Sequence, residues 1–270
     1  MRGSLGEKIG EGVFSDVHAW APGQVVKLFK TGVSPRFGWH EARMTHAVFT
    51  AGGPAPKILD LVALDGRFGI VLPRHDGPTL LYLVRNGAVT FEQAGAILAS
   101  VALSVHKTPP PPDVLLLRDW IVGTLRRSGA AVPKHIVTGI LALIERLQPR
   151  DGLCHGDLHS GNVIMTAEGP KIVDWGWAVR GPAALDLGFS HVIHTEIAPR
   201  RAENPQRPWA TNAATQSEYA RLAGLSQAAL RAEMESYLPI VCVFHLIFGA
   251  YGALRERMIQ GIEAALRLEE

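Results

Sequence analysis

A chain of 270 residues with 47% hydrophobic and 19% charged side chains has ordinary globular composition, which excludes intrinsic disorder and allows two lobes around a shared cleft. Lysine and arginine number 27 against 25 acids, so no broad field points to nucleic acid or to a membrane surface, and recognition falls to local charge. Two cysteines, Cys154 and Cys242, with no CxxC leave neither a disulfide framework nor a zinc motif, and free thiols fit a reducing cytoplasm.

The first stretch, MRGSLGEKIGEG, lacks the continuous apolar run of a signal peptide, so the expectation is a cytoplasmic protein. LGEKIGEGVFSDVHAW and QVVKLF, divided by a turn at Pro22-Gly23, read as a three-strand meander. Ser34-Pro35 then supplies an N-cap and a first-turn proline for a helix through HEARMTHAVFTAG, which Gly52-Gly53-Pro54 stops. KILDLVALDG and RFGIVLPR form a hairpin turning at Asp65-Gly66. Residues 1–75 are therefore expected to be a small antiparallel sheet with one helix.

From His75 onward the pattern turns helical. A capping box runs from Thr90 to Gln93, Pro109 to Pro112 act as a stiff spacer, and DVLLLRDWIVGTLRRSG and PKHIVTGILALIERLQ follow as helices. Residues 76–270 are expected to form a second, mainly helical lobe. Residues 197–216 are polar and proline-bearing and read as a loop. Tyr237 to Leu254 approaches the roughly 18 apolar residues of a membrane span. It holds Pro239 and His245, however, and runs into an amphipathic tail, so it is expected to be a buried core helix.

Packing does not explain the composition of two segments. Cys154 to Asn162 reads CHGDLHSGN, with almost nothing apolar to bury, and Lys171 to Trp177 reads KIVDWGW, an aspartate closing a β-branched run. Cys154 itself reads as a buried small hydrophobe. The loop that follows it reads as a site.

The order of parts is that of the phosphoryl-transfer template: a glycine-bearing turn between two strands, a lysine on the third, a glutamate on the next helix, then HxDxxxxN and a later aspartate-x-glycine. With HGDLHSGN and IVDWGWA, the chain from about Leu5 to Gly188 resembles the aminoglycoside phosphotransferase and choline kinase family. The resemblance implies an α+β, protein-kinase-like two-lobe fold. Residues 1–75 would be the nucleotide-binding lobe and 76–270 the catalytic and substrate-binding lobe.

The resemblance also assigns roles. Asp157 would orient an acceptor hydroxyl and take its proton, while His159 would present a ring N–H to the γ-phosphate. Asn162 and Asp174 offer the hard oxygens magnesium prefers. Lys27 would pair with the nucleotide phosphates, held by Glu41, and Gly10 and Gly12 would let backbone approach them. Ser15 departs from the third glycine of GxGxxG. Pro73, through its carbonyl, and His75, through its N–H, stand where the purine would bind. His155 and Asp186 read as structural, holding the loop.

The implied cofactors are ATP or GTP and Mg2+, and the implied partner is a small hydroxylated acceptor. Oligomeric state and acceptor stay open. Choline would require an aromatic cage, for which Trp175, Trp177, Trp209 and Tyr219 are candidates. Arg200, Arg201 and Arg207 against Glu203 disfavour a polycationic antibiotic. A protein kinase, or a nucleotide-binding scaffold without catalysis, are the alternatives. The short connector between DWG and DLG, with no APE motif, weighs against the first, and the intact set of polar residues against the second.

Overall fold

The computed structural model describes residues 5–148, 150–200, 202, 204–250 and 252–267. Five strands come first: β1 (Lys8–Glu11), β2 (Ser15–Ala19), β3 (Gln24–Phe29), β4 (Asp60–Leu64) and β5 (Arg67–Pro73), wholly antiparallel in the order β1-β2-β3-β5-β4. β3 lies at the centre, and Val25, Val26, Leu28 and Phe29 are buried, which explains its nearly unbroken apolar run. The β4–β5 turn is Asp65-Gly66, both at positive φ (50° and 74°), as a two-residue hairpin with right-twisted strands requires.

Helix α1 (Pro35–Thr50) starts where Ser34 accepts from the Arg36 N–H, and its buried residues Gly38, Glu41, Ala42, Thr45 and Val48 recur at helical spacing. Phe29, Ala42 and Ile70 form the small core under it. A Cβ at Gly38 would lie 2.3 Å from the Phe68 ring, so the close seat of α1 on β5 depends on that glycine.

The rest is mostly helical: α2 (Leu80–Arg85), α3 (Phe91–His106), α4 (Leu117–Arg127), α5 (Lys134–Arg146), α6 (Ala183–Val192), α7 (Gln206–Ala223), α8 (Gln227–Phe248) and α9 (Gly252–Arg267). The Thr90–Gln93 capping box is present at the start of α3. α3 packs along α7 and α6 along α8, around a core that includes Trp120, Ile136, Ile140, Phe189 and Phe244. Among the described residues, no helix is long and apolar enough to cross a membrane.

Two expectations are corrected. The polar stretch 197–216 is largely helical, because Ala198–Arg200 form a 3-10 turn and α7 begins at Gln206. Asn204 accepts from the Gln206 N–H, and Pro208 falls in the first helical turn, where its missing donor costs nothing. Arg201 and Glu203 lie outside the described residues. The buried core helix expected over Tyr237 to Leu254 is present but ends sooner. α8 stops at Phe248, and Gly252, at φ 53°, opens α9 on a new course.

Two short ribbons matter for the site. β6 (Leu153–Cys154) pairs with β9 (Val179–Arg180), and β7 (Val163–Thr166) pairs with β8 (Gly169–Ile172). The segment 155–162 is thus strung between β6 and β7, and 173–178 between β8 and β9. The polar loops of the sequence are held at both ends by backbone pairing.

Candidate active site

The 155–162 loop is fixed from beneath by Asp186 on α6. Its Oδ2 accepts from the His155 N–H at 2.9 Å and its Oδ1 from the Gly156 N–H at 2.8 Å. His106 Nε2 lies 3.1 Å from the same carboxylate, and its Nδ1 lies 2.7 Å from the Tyr219 hydroxyl. Burial opposes the Asp186 charge, but these donors and the His106 contact outweigh it and hold its pKa below the ordinary value. Sequence reasoning anticipated Asp186, missed His106 and named Tyr219 only for an aromatic cage, since the two stand 113 positions apart and nothing local pairs them.

His155 is fully buried and spends both ring nitrogens on backbone: Nδ1 accepts from the Asp157 N–H at 3.2 Å, and Nε2 donates to the Val173 carbonyl at 3.1 Å. Burial holds it neutral. Gly156, at φ 79°, passes so close to the other loop that a Cβ would lie 2.2 Å from the Trp177 carbonyl oxygen. The Val173 N–H closes the junction by donating to the Asn162 carbonyl at 3.0 Å.

On this frame Asp157 stands partly open, its side chain 25% exposed. Asn162 Nδ2 donates to its carbonyl at 2.9 Å and reaches its Oδ2 at 3.3 Å. Burial, then repulsion from Asp174, pushes the Asp157 carboxyl well above the usual range. The His159 Nδ1 accepts from the Gly161 N–H at 3.0 Å, which leaves the proton on Nε2, 3.8 Å from Asp157 Oδ2. Burial lowers its pKa to about 4, so His159 is a neutral donor.

Asp174 adopts φ 68°, a left-handed backbone uncommon outside glycine, and caps no helix. The turn aims its carboxylate at Lys27 Nζ, 3.0 Å away, while Glu41 Oε1 from α1 approaches the same ammonium to 2.6 Å. Burial opposes the Lys27 charge, but the two carboxylates outweigh it and raise its pKa. Glu41 is raised to about 7, by burial first and against the pull of Lys27. Lys27 and Glu41 therefore meet as the sequence led one to expect, with Asp174 as a third member.

Asn162, with its amide nitrogen committed to Asp157, and Asp174 could together offer a cation one amide oxygen and one carboxylate. Among the described residues, no group of three or more His, Cys, Asp or Glu is arranged to hold a metal ion. A sparse set of hard oxygens suits magnesium that arrives with phosphates and water, and does not suit a fully protein-caged metal.

The other expected positions lie on the five-stranded sheet and its connections. Gly10 stands in β1 opposite Val17, and the Gly12 N–H closes the hairpin onto the Ser15 carbonyl at 2.8 Å, with Ser15 buried. Lys30, which the sequence did not single out, donates to the Gly12 carbonyl at 2.7 Å and braces the tip. Pro73 ends β5 opposite Gln24, and His75 follows the last rung, where the Arg74 N–H donates to Gly23 at 2.9 Å.

The candidate aromatic cage is not assembled. Trp175 is buried against His155, Trp177 lies among Phe37, Phe244 and Phe248, Tyr219 is committed to His106, and Trp209 is exposed and donates to the Thr195 carbonyl. Cys154 is fully buried, as expected.

A five-stranded antiparallel lobe carrying a lysine between two carboxylates, followed by a mainly helical lobe, is a kinase-like fold. Residues 15–225 match the phosphotransferase enzyme family (APH), and the chain belongs to it.

Solved structures share the fold at low identity. A choline/ethanolamine kinase family protein from Mesorhizobium loti is 16% identical with TM-score 0.60, covering 98% of this chain and 88% of that one. A putative fructosamine-3-kinase from Haemophilus somnus 129PT is 12% identical with TM-score 0.65, at 98% and 92% coverage. Aminoglycoside phosphotransferase APH(3'')-Id from Streptomyces rimosus is 17% identical with TM-score 0.57, at 90% and 93%. A thiamine kinase of Shigella boydii serotype 4 (strain Sb227) is 35% identical over 71 residues, 24% of this chain and 26% of that relative. The chain thus matches only about a quarter of that curated relative's length.

Proposed function

We propose that this protein transfers the γ-phosphoryl group of ATP or GTP to a hydroxyl of a small molecule. The observation that carries the reading is the Lys27 ammonium held 2.6 Å from Glu41 and 3.0 Å from Asp174, whose charge in turn acts on the open carboxylate of Asp157. Residues 1–75 serve as the nucleotide lobe and 76–270 as the catalytic and acceptor lobe. Gly10 and Gly12 bring backbone to the phosphates, Ser15 closes their turn, and Pro73 and His75 meet the base.

Lys27 orients the α- and β-phosphates and Glu41 orients Lys27. Asp157 accepts the proton of the acceptor hydroxyl as its oxygen bonds to the γ-phosphorus and the bond to the β-phosphate oxygen breaks, releasing nucleoside diphosphate. The raised Asp157 pKa makes it a better base than an ordinary carboxylate. His159, a neutral donor, stabilises charge on the transferred group. Asn162 and Asp174 would hold magnesium, which when bound neutralises phosphate charge.

The test is a coupled nucleotide-consumption assay with ATP and with GTP, in magnesium, across hydroxylated metabolites, thiamine, choline and aminoglycosides. Acceptor-dependent nucleoside diphosphate formation supports the reading. Nucleotide binding with no transfer to any acceptor favours a silent scaffold, and transfer only to protein substrates favours a protein kinase. A cytoplasmic setting belongs to the same proposal.

A further inference from the structure

Beside Asp157 and His159 opens a cavity of about 500 Å³, within the size range of small-molecule sites. Its walls come from α2, the 155–162 loop, residues between 193 and 204 that follow α6, and the start of α7, with His245 of α8 also lining it. Among the described residues lining it, Asp157 is the only acid, while Arg85 and Arg207 bring two guanidinium groups. Neither arginine has a carboxylate partner among the described residues. Arg207 instead donates to the Arg85 carbonyl at 3.3 Å and lies over the Phe91 ring, 6.0 Å from its centre. Leu81, Val84, Ile193 and Ile197 supply apolar wall.

Two further imidazoles face this space. His194 donates through Nδ1 to the Ser190 carbonyl at 2.8 Å, which leaves Nε2 as an acceptor. His245 is more than nine-tenths buried, and its Nε2 has no hydrogen-bond partner among the described residues. A buried polar atom without a partner on a cavity wall calls for a polar group from the occupant. Burial lowers His245 to about 4 and lowers His194 as well, so neither adds or neutralises charge. Among the described lining residues a polycation would find one carboxylate against two guanidinium groups, and a quaternary ammonium would find no Trp, Tyr or Phe.

We propose that this cavity binds an alcohol carrying an anionic group, a carboxylate or a phosphate. The anion sits at Arg85 and Arg207, the carbon chain lies against Leu81 and Ile197, a polar group meets His245, and the hydroxyl reaches Asp157. Guanidinium is the side chain suited to both anions, through paired N–H donors. The inference rests on the phosphotransferase reading above and narrows its acceptor.

The experiment uses the full chain with magnesium and nucleotide and compares matched probes: glycerate with glycerol, and 4-hydroxybutyrate with 1,4-butanediol. Glycerol 3-phosphate forms the phosphate arm, and kanamycin, choline and thiamine the cationic arm. Calorimetry measures binding to the nucleotide-loaded protein, and a coupled assay measures transfer. The anionic member of at least one pair should have a kcat/KM about 10- to 100-fold above its neutral partner, the usual worth of a charge-assisted hydrogen bond. Relative use of the carboxylate and phosphate probes tells which anion the arginines favour.

Arg85→Gln with Arg207→Gln should raise KM and erase that preference while magnesium–nucleotide affinity stays unchanged. Because Arg207 also ties α7 to α2, Arg85→Gln alone and Arg207→Lys provide milder versions of the same test. Equal or better use of a neutral or cationic probe, or no binding of any anionic one, overturns the proposal. Failure to bind magnesium–nucleotide at all would instead overturn the underlying reading.

Discussion

Lys27 Nζ lies 2.6 Å from Glu41 Oε1, joining the central strand of the sheet to the helix packed on it, with both side chains almost wholly buried. A pair so placed is costly to break, because removing one partner strands the other's charge in low dielectric. Lys27→Ala is expected to cost about 3–5 kcal/mol of stability. It should also weaken nucleotide binding and slow transfer, and Glu41→Gln should have a milder effect of the same kind. The double variant should lose less than the sum, since each change removes the same contact. Thermal unfolding and nucleotide titration on all four proteins check this, and additive losses would show that the two residues act separately.

Nucleotide affinity should depend strongly on magnesium. In the proposed scheme Asn162 and Asp174 bring two oxygen donors, too few to keep the ion without phosphates and too few to hold phosphates well without the ion. Calorimetric titration of ATP with magnesium and then with EDTA should show marked weakening in EDTA. Equal affinities would remove the metal from the scheme.

Asp186 supports the loop without facing the cleft. Its carboxylate accepts two backbone N–H groups and meets His106, so Asp186→Asn would turn an amide N–H₂ toward a donor and leave a buried group unpaired, at about 1–3 kcal/mol. The folded-state pKa is depressed, so this stabilisation is complete above the unfolded value near 3.9 and is lost as pH falls through the lower folded value. Unfolding midpoints against pH should show the wild type losing this advantage over Asp186→Asn only in acid. A constant difference down to the lowest measurable pH would contradict the sign.

Much of this architecture was legible because local chemistry and tertiary role agree. Ser34-Pro35, Thr90–Gln93 and Asp65-Gly66 each fix an element boundary through their own backbone preferences. Lys27 and Glu41 could be paired because a known order of parts resembles the order in this chain. The start of α7 was hidden because its composition is that of a loop, while its burial of Thr211, Thr215 and Tyr219 against the core is a tertiary fact. The end of α8 was hidden by an apolar run that continues past the break at Gly249. His106, His194 and Arg85 carry no local signal, since each matters only through residues distant in sequence. His245 did carry one: a histidine inside VCVFHLIF must either find a partner in the core or face a cavity.

Asp157 should show a conflict between stability and activity. Its folded-state pKa is raised by burial and by Asp174, so between the ordinary carboxylate value and the raised one the folded chain keeps a proton the unfolded chain has released. Stability therefore falls as pH climbs through that window, and above both values the cost is complete. Asp157→Asn removes the charge while keeping the bond from Asn162 to the backbone carbonyl, so its thermal midpoint at neutral pH should exceed that of the wild type. The same change deletes the proton acceptor, so transfer should fall about 10²- to 10⁴-fold. In the wild type, kcat/KM should rise with pH through a limb displaced above the usual carboxylate range, because only the ionised form takes the hydroxyl proton. Magnesium–nucleotide affinity should change little, whereas Asp174→Asn, which removes a charged ligand and a partner of Lys27, should lose binding and turnover together. Calorimetry, unfolding and turnover on both variants decide the matter. If Asp157→Asn keeps near-wild-type turnover, or abolishes nucleotide binding while Asp174→Asn spares it, the roles given to the two aspartates are wrong.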